Sequence, residues 1–311
     1  MAEEIKQIKS EGIMQLLNEK DVKDYYEKTS VMPDSKDLHD AIKELLDIEN
    51  ISNKAVLGID IYRYSAYQDY EQALIPLIFK VFFFEANKFC LESDQFIFQN
   101  YSKDEIEKYF ISTGDGGFLI FDSPLHALVF AINFEMTLRT YNSFHLYPKL
   151  RRMVGEISLR YAMTFDKVYA YENRCYGRAI INNSRILFKD NLNRFLIDEN
   201  THHWFLLNTD GVENLRMITL KEISNIHEFE KYDKTIIKSG KNIIFFEKVM
   251  PFSGITRVDI LKIGKIKSTE TDLNIYNLYL QVAMLISDEK DPSKFRNIIT
   301  SLGNLNISGI S

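Results

Sequence analysis

Two aspartates lie where their carboxylates could hold a divalent cation. Asp60 follows an apolar run that begins at Ala55 and predicts a buried strand, and Asp115 lies at the crest of a glycine-rich turn in "FISTGDGGFLIF" (110–121). Carboxylates at adjacent strand ends are hard oxygen ligands of the kind that suits Mg²⁺ or Mn²⁺. Either aspartate alone is weak support, because an Asp-Gly turn and a solvated strand end need no metal. The pair makes a candidate metal site.

The composition is typical of a packed protein in a reducing compartment. Of the 311 residues, 45% are hydrophobic and 26% charged, and the net charge of -6 argues against non-specific nucleic-acid binding. The two cysteines, Cys90 and Cys175, are too few for a disulfide framework or a four-cysteine zinc site. The N-terminus lacks the apolar core of a signal peptide, and the apolar run 73–84 is too short to span a bilayer. We therefore expect a cytoplasmic protein without stable membrane insertion.

The hydrophobic pattern predicts strands interspersed with helices. Ser123 and Pro124 suit the N-cap and first turn of a long helix, whereas 156–172 alternates with the two-residue period of a strand. The predicted strands are 54–65, 156–172, 193–198, 202–207 and one from about 240, the predicted hairpin is 107–121, and the predicted helices are 71–90, 122–142, 177–190 and 271–285. This order predicts the α+β class, with a mixed sheet and helices on one face.

The segments around the two aspartates together resemble the catalytic domain of class III nucleotidyl cyclases. Between about residues 54 and 210 the chain contains, in the family's order, "GIDIYRYS", "STGDGGFLIF", "PLHALVFAINF", "LRYAMTFDKVY" and "CYGRAIINNSRIL". The resemblance implies an α+β, class III cyclase-like fold with a ferredoxin-like core, a mixed sheet and helices packed on it. The implied domains are a helical N-terminal segment (1–53), the catalytic domain (54–215) and an α/β C-terminal extension (216–311).

The resemblance also implies a site for two divalent cations, Mg²⁺ or Mn²⁺. Asp60, the carbonyl of Ile61 and Asp115 would hold them, which would lower the pKa of the ribose 3′-hydroxyl and neutralise the triphosphate. The turn that contains Tyr64 and Ser65 would place backbone amides against the phosphates.

Two arginines and one asparagine complete the implied site. Arg160 aligns with the arginine that binds the terminal phosphates, and Arg185 with the catalytic arginine that stabilises charge developing on the α-phosphate. A surface cation is the alternative for each. Ile181 occupies the place of the family's ribose-positioning asparagine, so either Asn182, one residue later, takes over that role through a shift of the helix, or the ribose is oriented differently. Arg63 stands where many relatives have glycine.

The residues at the base-binding positions match neither purine cyclase. Purine cyclases have lysine with aspartate, or glutamate with cysteine, where this chain has Ile111 and Arg174. Arginine donates hydrogen bonds and cannot accept them, so it suits a carbonyl such as O4 of uracil or O6 of guanine. Nearby Tyr176, Tyr62 and Tyr64 would fill space that a purine needs. These residues favour a pyrimidine, and uracil over cytosine, although Arg174 pointing to solvent is an equal alternative.

These departures look like the pyrimidine cyclases of bacterial antiphage systems, the Pycsar type. That resemblance implies an enzyme that converts UTP, or else CTP, to its 3′,5′-cyclic monophosphate and pyrophosphate by two-metal in-line attack. It also implies a homodimer with two sites at its interface, and a separate effector that senses cyclic UMP or cyclic CMP in antiviral defence.

Other functions stay open. One is an adenylate or guanylate cyclase of unusual specificity. Another is a catalytically inactive cyclase-like module that binds nucleotide or a partner. The loss of the asparagine at Ile181 favours it, and the retention of both aspartates and both arginines argues against it. A diguanylate-cyclase-like domain would need a Gly-Gly-Asp/Glu-Glu/Asp-Phe hairpin, whereas this hairpin has the order Gly-Asp-Gly-Gly.

The chain beyond about residue 215 has no predicted role. Lys221 is the candidate for the lysine that assists the triphosphate in the family. His202 and His203 would point to opposite faces of the strand predicted at 202–207, so packing is favoured over a shared metal ion.

Overall fold

The computed structural model describes residues 5–9, 11–12, 15, 36–47, 50–172, 174–232, 254–267, 272–288 and 291–310. The strands in these ranges are β1 (Gln7–Ile8), β2 (Asn53–Ile61), β3 (Phe110–Ser112), β4 (Gly116–Phe121), β5 (Leu159–Lys167), β6 (Tyr169–Tyr171), β7 (Arg174–Tyr176), β8 (Phe195–Asp198), β9 (Gly254–Ile266), β10 (Leu273–Asp288) and β11 (Asp291–Leu302). The α-helices are α1 (Lys36–Leu46), α2 (Asp69–Ser93), α3 (Lys103–Lys108), α4 (Pro124–Asn142), α5 (Pro148–Val154), α6 (Arg178–Lys189), α7 (Glu199–Thr209) and α8 (Leu220–Ile223). None of these helices combines the length and apolarity that a membrane crossing requires.

Eight strands form one mixed sheet, which confirms the predicted α+β class. The strand order is β11-β10-β8-β5-β2-β4-β3, and β9 pairs with β10. Strand β2 is antiparallel to both β4 and β5, whereas β5 is parallel to β8. A smaller sheet has the order β1-β6-β7. The position of β2 between β4 and β5 explains its nearly continuous apolar sequence, since both of its faces are buried.

Helices cover both faces of the large sheet, so the prediction of helices on one face is wrong. Leu57 of β2 packs in a cluster with Phe79 of α2 and Leu128 of α4. The neighbouring Val56 points the other way and packs in a second cluster with Ala179 of α6. Because successive side chains of a strand alternate between faces, an uninterrupted apolar strand needs a partner on each side.

Two predicted elements have the opposite secondary structure. The segment 202–207 is not a strand but part of helix α7, whose first turn is capped by Asp198: its Oδ1 accepts a hydrogen bond from the amide of Thr201 at 2.9 Å. The segment 271–285 is not a helix but most of strand β10, which pairs with β8, β9 and β11. The strand predicted from about 240 lies outside the described residues.

Strands β9 to β11, from the predicted C-terminal extension, continue the central sheet through the pairing of β10 with β8. A buried ion pair joins the last residues to this sheet. Arg194 donates from Nη2 to Asp190 Oδ1 at 2.7 Å and from Nη1 to the carbonyl of Ser308 at 2.6 Å. Both charged side chains are almost fully buried, so removal of either partner would leave an uncompensated charge.

Candidate active site

Asp60 and Arg160 face each other on the neighbouring strands β2 and β5. The two residues are direct register partners, and Arg160 Nε donates to Asp60 Oδ2 at 2.5 Å. Arg160 Nη1 donates to the carbonyl of Asp190 at 2.5 Å. The side chains of Asp60 and Arg160 are 13% and 24% exposed. Asp60 lies an even number of residues from Val56 on β2, and Arg160 an even number from Ala162 on β5, so each points to the same face as that neighbour. Val56 and Ala162 pack against α6, so Asp60 and Arg160 lie on the face that α6 covers.

The β3–β4 hairpin brings Asp115 to Asp60. Its turn is closed by a hydrogen bond from the amide of Thr113 to the carbonyl of Gly116 at 3.1 Å. Gly114 has a φ of 102°, a conformation that glycine adopts without strain. The amide of Ile61 donates to the carbonyl of Asp115 at 3.2 Å, which ties the hairpin crest to the end of β2.

Gly116 permits this approach because it has no side chain. It is the register partner of Asp60 on β4. A Cβ atom at Gly116 would lie 2.1 Å from the carbonyl oxygen of Ile59 and 2.9 Å from the Cα of Asp60. Both are backbone atoms, so the strands would have to separate to admit even alanine.

The Asp60 carboxyl is in an environment that opposes its charge. Burial is the largest cause, and it raises the pKa of Asp60 above its usual value; the Arg160 guanidinium lowers that pKa, and the nearby Asp115 carboxyl raises it again. A divalent cation between the two carboxylates would relieve the repulsion that remains.

The donor set fits Mg²⁺ or Mn²⁺. In the described part of the chain, no group of three or more His, Cys, Asp or Glu side chains is placed to hold a metal ion. An ion at Asp60 and Asp115 would therefore use two carboxylates, the carbonyl of Ile61, and oxygens of water and phosphate. Mg²⁺ is commonly held in this way, because it keeps several waters and takes one or two carboxylates with substrate phosphates.

The turn after β2 is braced against helix α2. Arg63 has φ 58° and ψ 38°, in the left-handed region that favours glycine. Tyr64–Ala66 then form a 3₁₀ turn, in which Ser65 is exposed. The hydroxyl of Tyr64 donates to the carbonyl of Gln72 at 3.2 Å, and Pro76, four residues further on, has no amide hydrogen for that carbonyl. The Tyr64 side chain thus fixes the turn. The carbonyl of Tyr64 accepts a hydrogen bond from the amide of Tyr67 at 3.1 Å, so its backbone amide is the group that could face a phosphate.

The remaining site residues of the sequence analysis lie outside the group formed by Asp60, Ile61, Asp115 and Arg160. Ile111 is half-buried and packs on the cluster of Val56 and Ala179, on the α6 side of the sheet. Arg174, on β7, and Arg185, on α6, are exposed. Among the described residues, neither arginine forms a hydrogen bond or an ion pair with the Asp60 group. Asn182 is half-buried on α6.

Sequence reasoning missed Asn183, which is fully buried against the sheet. Its Nδ2 donates to the carbonyls of Val56 at 2.7 Å and Ala162 at 3.0 Å, so it fixes α6 across β2 and β5. A Cβ at Gly58 would lie 2.1 Å from Asn183 Oδ1, which explains a glycine within a central strand. The available signal was helical spacing, since Asn183 lies four residues after Ala179 and four before Leu187, both of which are buried.

Sequence reasoning also missed Asp190. Its carbonyl holds Arg160, and its carboxylate is paired with Arg194. The four-residue spacing of Asp190 and Arg194 was visible in the sequence, but their burial was not.

Solved nucleotide cyclases are similar to this chain at low sequence identity. The adenylyl cyclase CyaB from P. aeruginosa is 10% identical, with a TM-score of 0.39, over 77% of this chain and 96% of its own. An adenylate cyclase from Trypanosoma brucei is 12% identical, with a TM-score of 0.39, over 73% of this chain and 89% of its own. A guanylyl cyclase domain of the RhoGC fusion protein from Blastocladiella emersonii is 13% identical, with a TM-score of 0.37, over 73% of this chain and 96% of its own. No protein-family model and no curated protein matches the chain. Because these TM-scores are below 0.5, function is inferred from the residues of the site.

Proposed function

We propose that the chain is a nucleotide cyclase that converts a pyrimidine nucleoside triphosphate, UTP in preference to CTP, to its 3′,5′-cyclic monophosphate. The observation that carries this proposal is the convergence of Asp60 and Asp115 at the ends of adjacent strands, with Arg160 beside them. Two carboxylates and a guanidinium at one end of these strands suit a triphosphate with its divalent cations. The resemblance of the surrounding segments to class III cyclases supplies the reaction type.

The reaction is an intramolecular displacement at phosphorus. The ribose 3′-oxygen forms a bond to the α-phosphorus, the bond from that phosphorus to the α,β-bridging oxygen breaks, and pyrophosphate leaves. The proton of the 3′-hydroxyl passes to water. Two divalent cations held by Asp60, the Ile61 carbonyl and Asp115 would lower the pKa of the hydroxyl and neutralise the leaving pyrophosphate.

The chain's own side chains have separate roles in this proposal. Arg160, held in place by Asp60 and by the carbonyl of Asp190, offers its guanidinium to the terminal phosphates. The backbone of Tyr64 and Ser65 lies against the phosphates, and the Tyr64 hydroxyl keeps that turn rigid. Arg185 stabilises the negative charge on the α-phosphate in the transition state.

The exposure of Arg185 supports a site shared between two copies of the chain. Ile181 and Phe188, on the same helix, are 51% and 82% exposed, and with Arg185 they are spaced by four and three residues along one face. Apolar side chains around an arginine are typical of the centre of a protein interface. In a homodimer with two equivalent sites, the Asp60, Asp115 and Arg160 side chains of one copy would be completed by four residues of the other copy, namely Arg174, Arg185, Ile111 and Asn182.

The preference for uracil is supported by Arg174. Its guanidinium is exposed and has no hydrogen bond or ion pair among the described residues, so it is free to donate to O4 of uracil. Cytosine has an amino group at that position, which cannot accept. A cyclic pyrimidine nucleotide would then serve as a signal to a separate effector, in keeping with the resemblance to antiphage cyclases.

Product analysis tests this function. The purified full-length chain is incubated with Mn²⁺ and each of ATP, GTP, CTP and UTP separately, and products are identified by mass spectrometry. We expect cyclic UMP as the main product, and a loss of the preference for UTP over CTP in Arg174→Gln but not in the control Arg152→Gln. Cyclic CMP as the main product would contradict the role of Arg174, and a cyclic purine would contradict the pyrimidine preference. Absence of product from every nucleotide would favour an inactive binding module.

A further inference from the structure

A cavity of about 300 Å³ lies behind the hairpin that carries Asp115. Its lining is formed mainly by aromatic rings from α2 and β3, which are Phe79, Phe83, Phe84 and Phe110. Its charged groups are Lys80 and Glu107. The cavity also touches Ser112 and Gly114, the residue directly before Asp115. Apolar cavities of this size with few polar groups are typical of small-molecule sites.

The cavity is separate from the proposed nucleotide site. Phe110 of β3 faces α2, where its ring stacks on Phe79 at a centroid distance of 5.8 Å and lies 5.1 Å from Phe83. The next residue, Ile111, packs on the α6 side of the sheet. Because neighbouring strand residues point to opposite faces, the cavity and the proposed base-binding residue lie on opposite sides of the hairpin.

Lys80 gives the cavity a positive charge without an acidic partner. Its Nζ lies 5.5 Å from the centroid of the Phe84 ring, and no carboxylate in the described part of the chain forms an ion pair with it. The acidic group of the cavity, Glu107, has its own counter-ion, since Lys103 Nζ lies 3.7 Å from Glu107 Oε1. Glu107 Oε1 is buried and forms no hydrogen bond with the described residues, so an anionic group on a ligand would pair with Lys80 and lie away from Glu107.

We propose that this cavity binds a small apolar carboxylate, with its hydrocarbon part among the phenylalanine rings and its carboxylate at Lys80. Burial of aliphatic groups against the rings supplies most of the affinity, and Lys80 supplies selectivity for the anion.

A bound ligand would contact the β3–β4 hairpin on its α2 side, opposite to the face of the proposed nucleotide site. The ring of Phe110 also lies against Gly117, where a Cβ would be 2.4 Å from that ring, so a ligand that moves Phe110 moves the hairpin strand. The binding claim does not depend on cyclase activity. Only the further effect, a change in the position of Asp115, rests on the proposed function.

Binding is tested with sodium octanoate as the probe, by isothermal titration calorimetry on the full-length chain and on Asp115→Asn. We expect a dissociation constant of about 0.1 to 1 mM for both proteins, because an eight-carbon ligand offers limited buried surface. Lys80→Gln should weaken octanoate binding about tenfold, through loss of a charge-assisted contact. Lys88→Gln, an exposed lysine two turns further along the same helix, should leave it unchanged.

Two further measurements separate the possible outcomes. Octan-1-ol should bind less tightly than octanoate, and octylammonium should not compete with it. Hydrogen exchange of the amides of residues 110–116 should slow when octanoate is bound. The proposal would be overturned if octylammonium bound as tightly as octanoate, or if Lys80→Gln left the octanoate affinity unchanged. It would also be overturned if hydrogen exchange in residues 110–116 did not change, or if octanoate did not bind. These outcomes hold whether or not the chain turns over nucleotides.

Discussion

Arg160 donates to Asp60 across two neighbouring strands, and this contact makes the arginine a counter-ion of a candidate metal ligand. The distance from Nε to Oδ2 is 2.5 Å. The same guanidinium reaches the carbonyl of Asp190, so two of its three nitrogens are engaged within the protein. Arg160 is therefore already oriented at the edge where the proposed phosphates would lie.

Replacement of this arginine tests its role. Arg160→Gln removes the charge beside Asp60, and we expect kcat to fall about 100-fold because charge on the triphosphate loses an oriented donor. Initial rates at saturating UTP and Mn²⁺ measure the effect. The matched control is Arg257→Gln, which breaks an exposed Arg257–Asp259 pair on β9 and should leave the rate unchanged. Equal rates for both variants would show that Arg160 has no part in turnover.

Gly116 should not tolerate a side chain. In Gly116→Ala the new methyl group would collide with the backbone at Ile59 and Asp60, so we expect a loss of about 1–3 kcal/mol in the free energy of unfolding. Activity should also be lost, because Asp115 moves away from Asp60. Gly309→Ala is the control: its φ lies outside the left-handed region, and the carbonyl oxygen of Ile263 lies 3.5 Å from its Cβ position, an ordinary contact. Urea denaturation and initial rates measure both variants; full activity in Gly116→Ala would contradict the close approach of the two strands.

A shared site predicts complementation between inactive variants. Asp115→Asn and Arg185→Ala alone should each be inactive, since every site of their homodimers lacks one group. After the two proteins are mixed and allowed to exchange subunits, about half of the dimers would be mixed, each with one intact site, so about a quarter of the normal activity should return. The measurement is the rate of cyclic nucleotide formation before and after exchange. A mixture that stays inactive while exchange is demonstrated by differential labelling would contradict the shared site.

Glu135 should make stability depend on pH. This glutamate of α4 accepts a hydrogen bond from the hydroxyl of Tyr161 at 2.7 Å, and burial raises its pKa to about 7, against the opposing effects of Tyr161 and Arg139. The unfolded chain loses this proton near pH 4.5, the ordinary value. The folded state keeps the proton to about pH 7, so between these values it binds a proton that the unfolded chain has released. The contribution of this proton to the free energy of unfolding is complete below pH 4.5 and is lost as pH rises through 7.

Glu135→Gln removes this dependence, because the amide is neutral at every pH and can still accept from Tyr161. Relative to the natural chain, the variant should gain on the order of 1–3 kcal/mol in unfolding free energy between pH 5 and pH 8. Urea unfolding at pH 5, 6.5 and 8 measures the difference. Glu92→Gln, an exposed residue of α2, serves as control. Parallel pH profiles for the natural chain and Glu135→Gln would refute a raised pKa at Glu135.

The two aspartates of the candidate metal site could be predicted from the sequence, because each lies in a short segment whose structure depends on its own residues. An apolar strand ends near Asp60 and a glycine turn presents Asp115, and both features follow from short-range preferences. The contact between Arg160 and Asp60 depends instead on the register of β2 with β5. That register joins residues 100 positions apart, so no local pattern could give it.

The two reversed elements have similar causes. Aromatic and leucine residues at 202–207 favoured a strand, but the cap at Asp198 begins a helix there. The segment 271–285 resembled a helix, yet β10 pairs on both sides with strands from distant parts of the chain, and tertiary pairing overrides weak local preference. Asn183 escaped notice for the same reason, since its partners Val56 and Ala162 lie on two different strands.

Reaction stoichiometry in matched variants tests the central claim most directly. The natural chain, Asp115→Asn and the exposed control Asp104→Asn are each incubated with UTP and Mn²⁺, and cyclic UMP and pyrophosphate are quantified, with circular dichroism to verify folding. We predict equal molar amounts of the two products from the natural chain and from Asp104→Asn, and at least about a 100-fold slower reaction in Asp115→Asn. Undiminished product from a folded Asp115→Asn, or no cyclic UMP from the natural chain, would contradict the proposal that Asp60 and Asp115 form the metal site of a nucleotide cyclase that uses UTP.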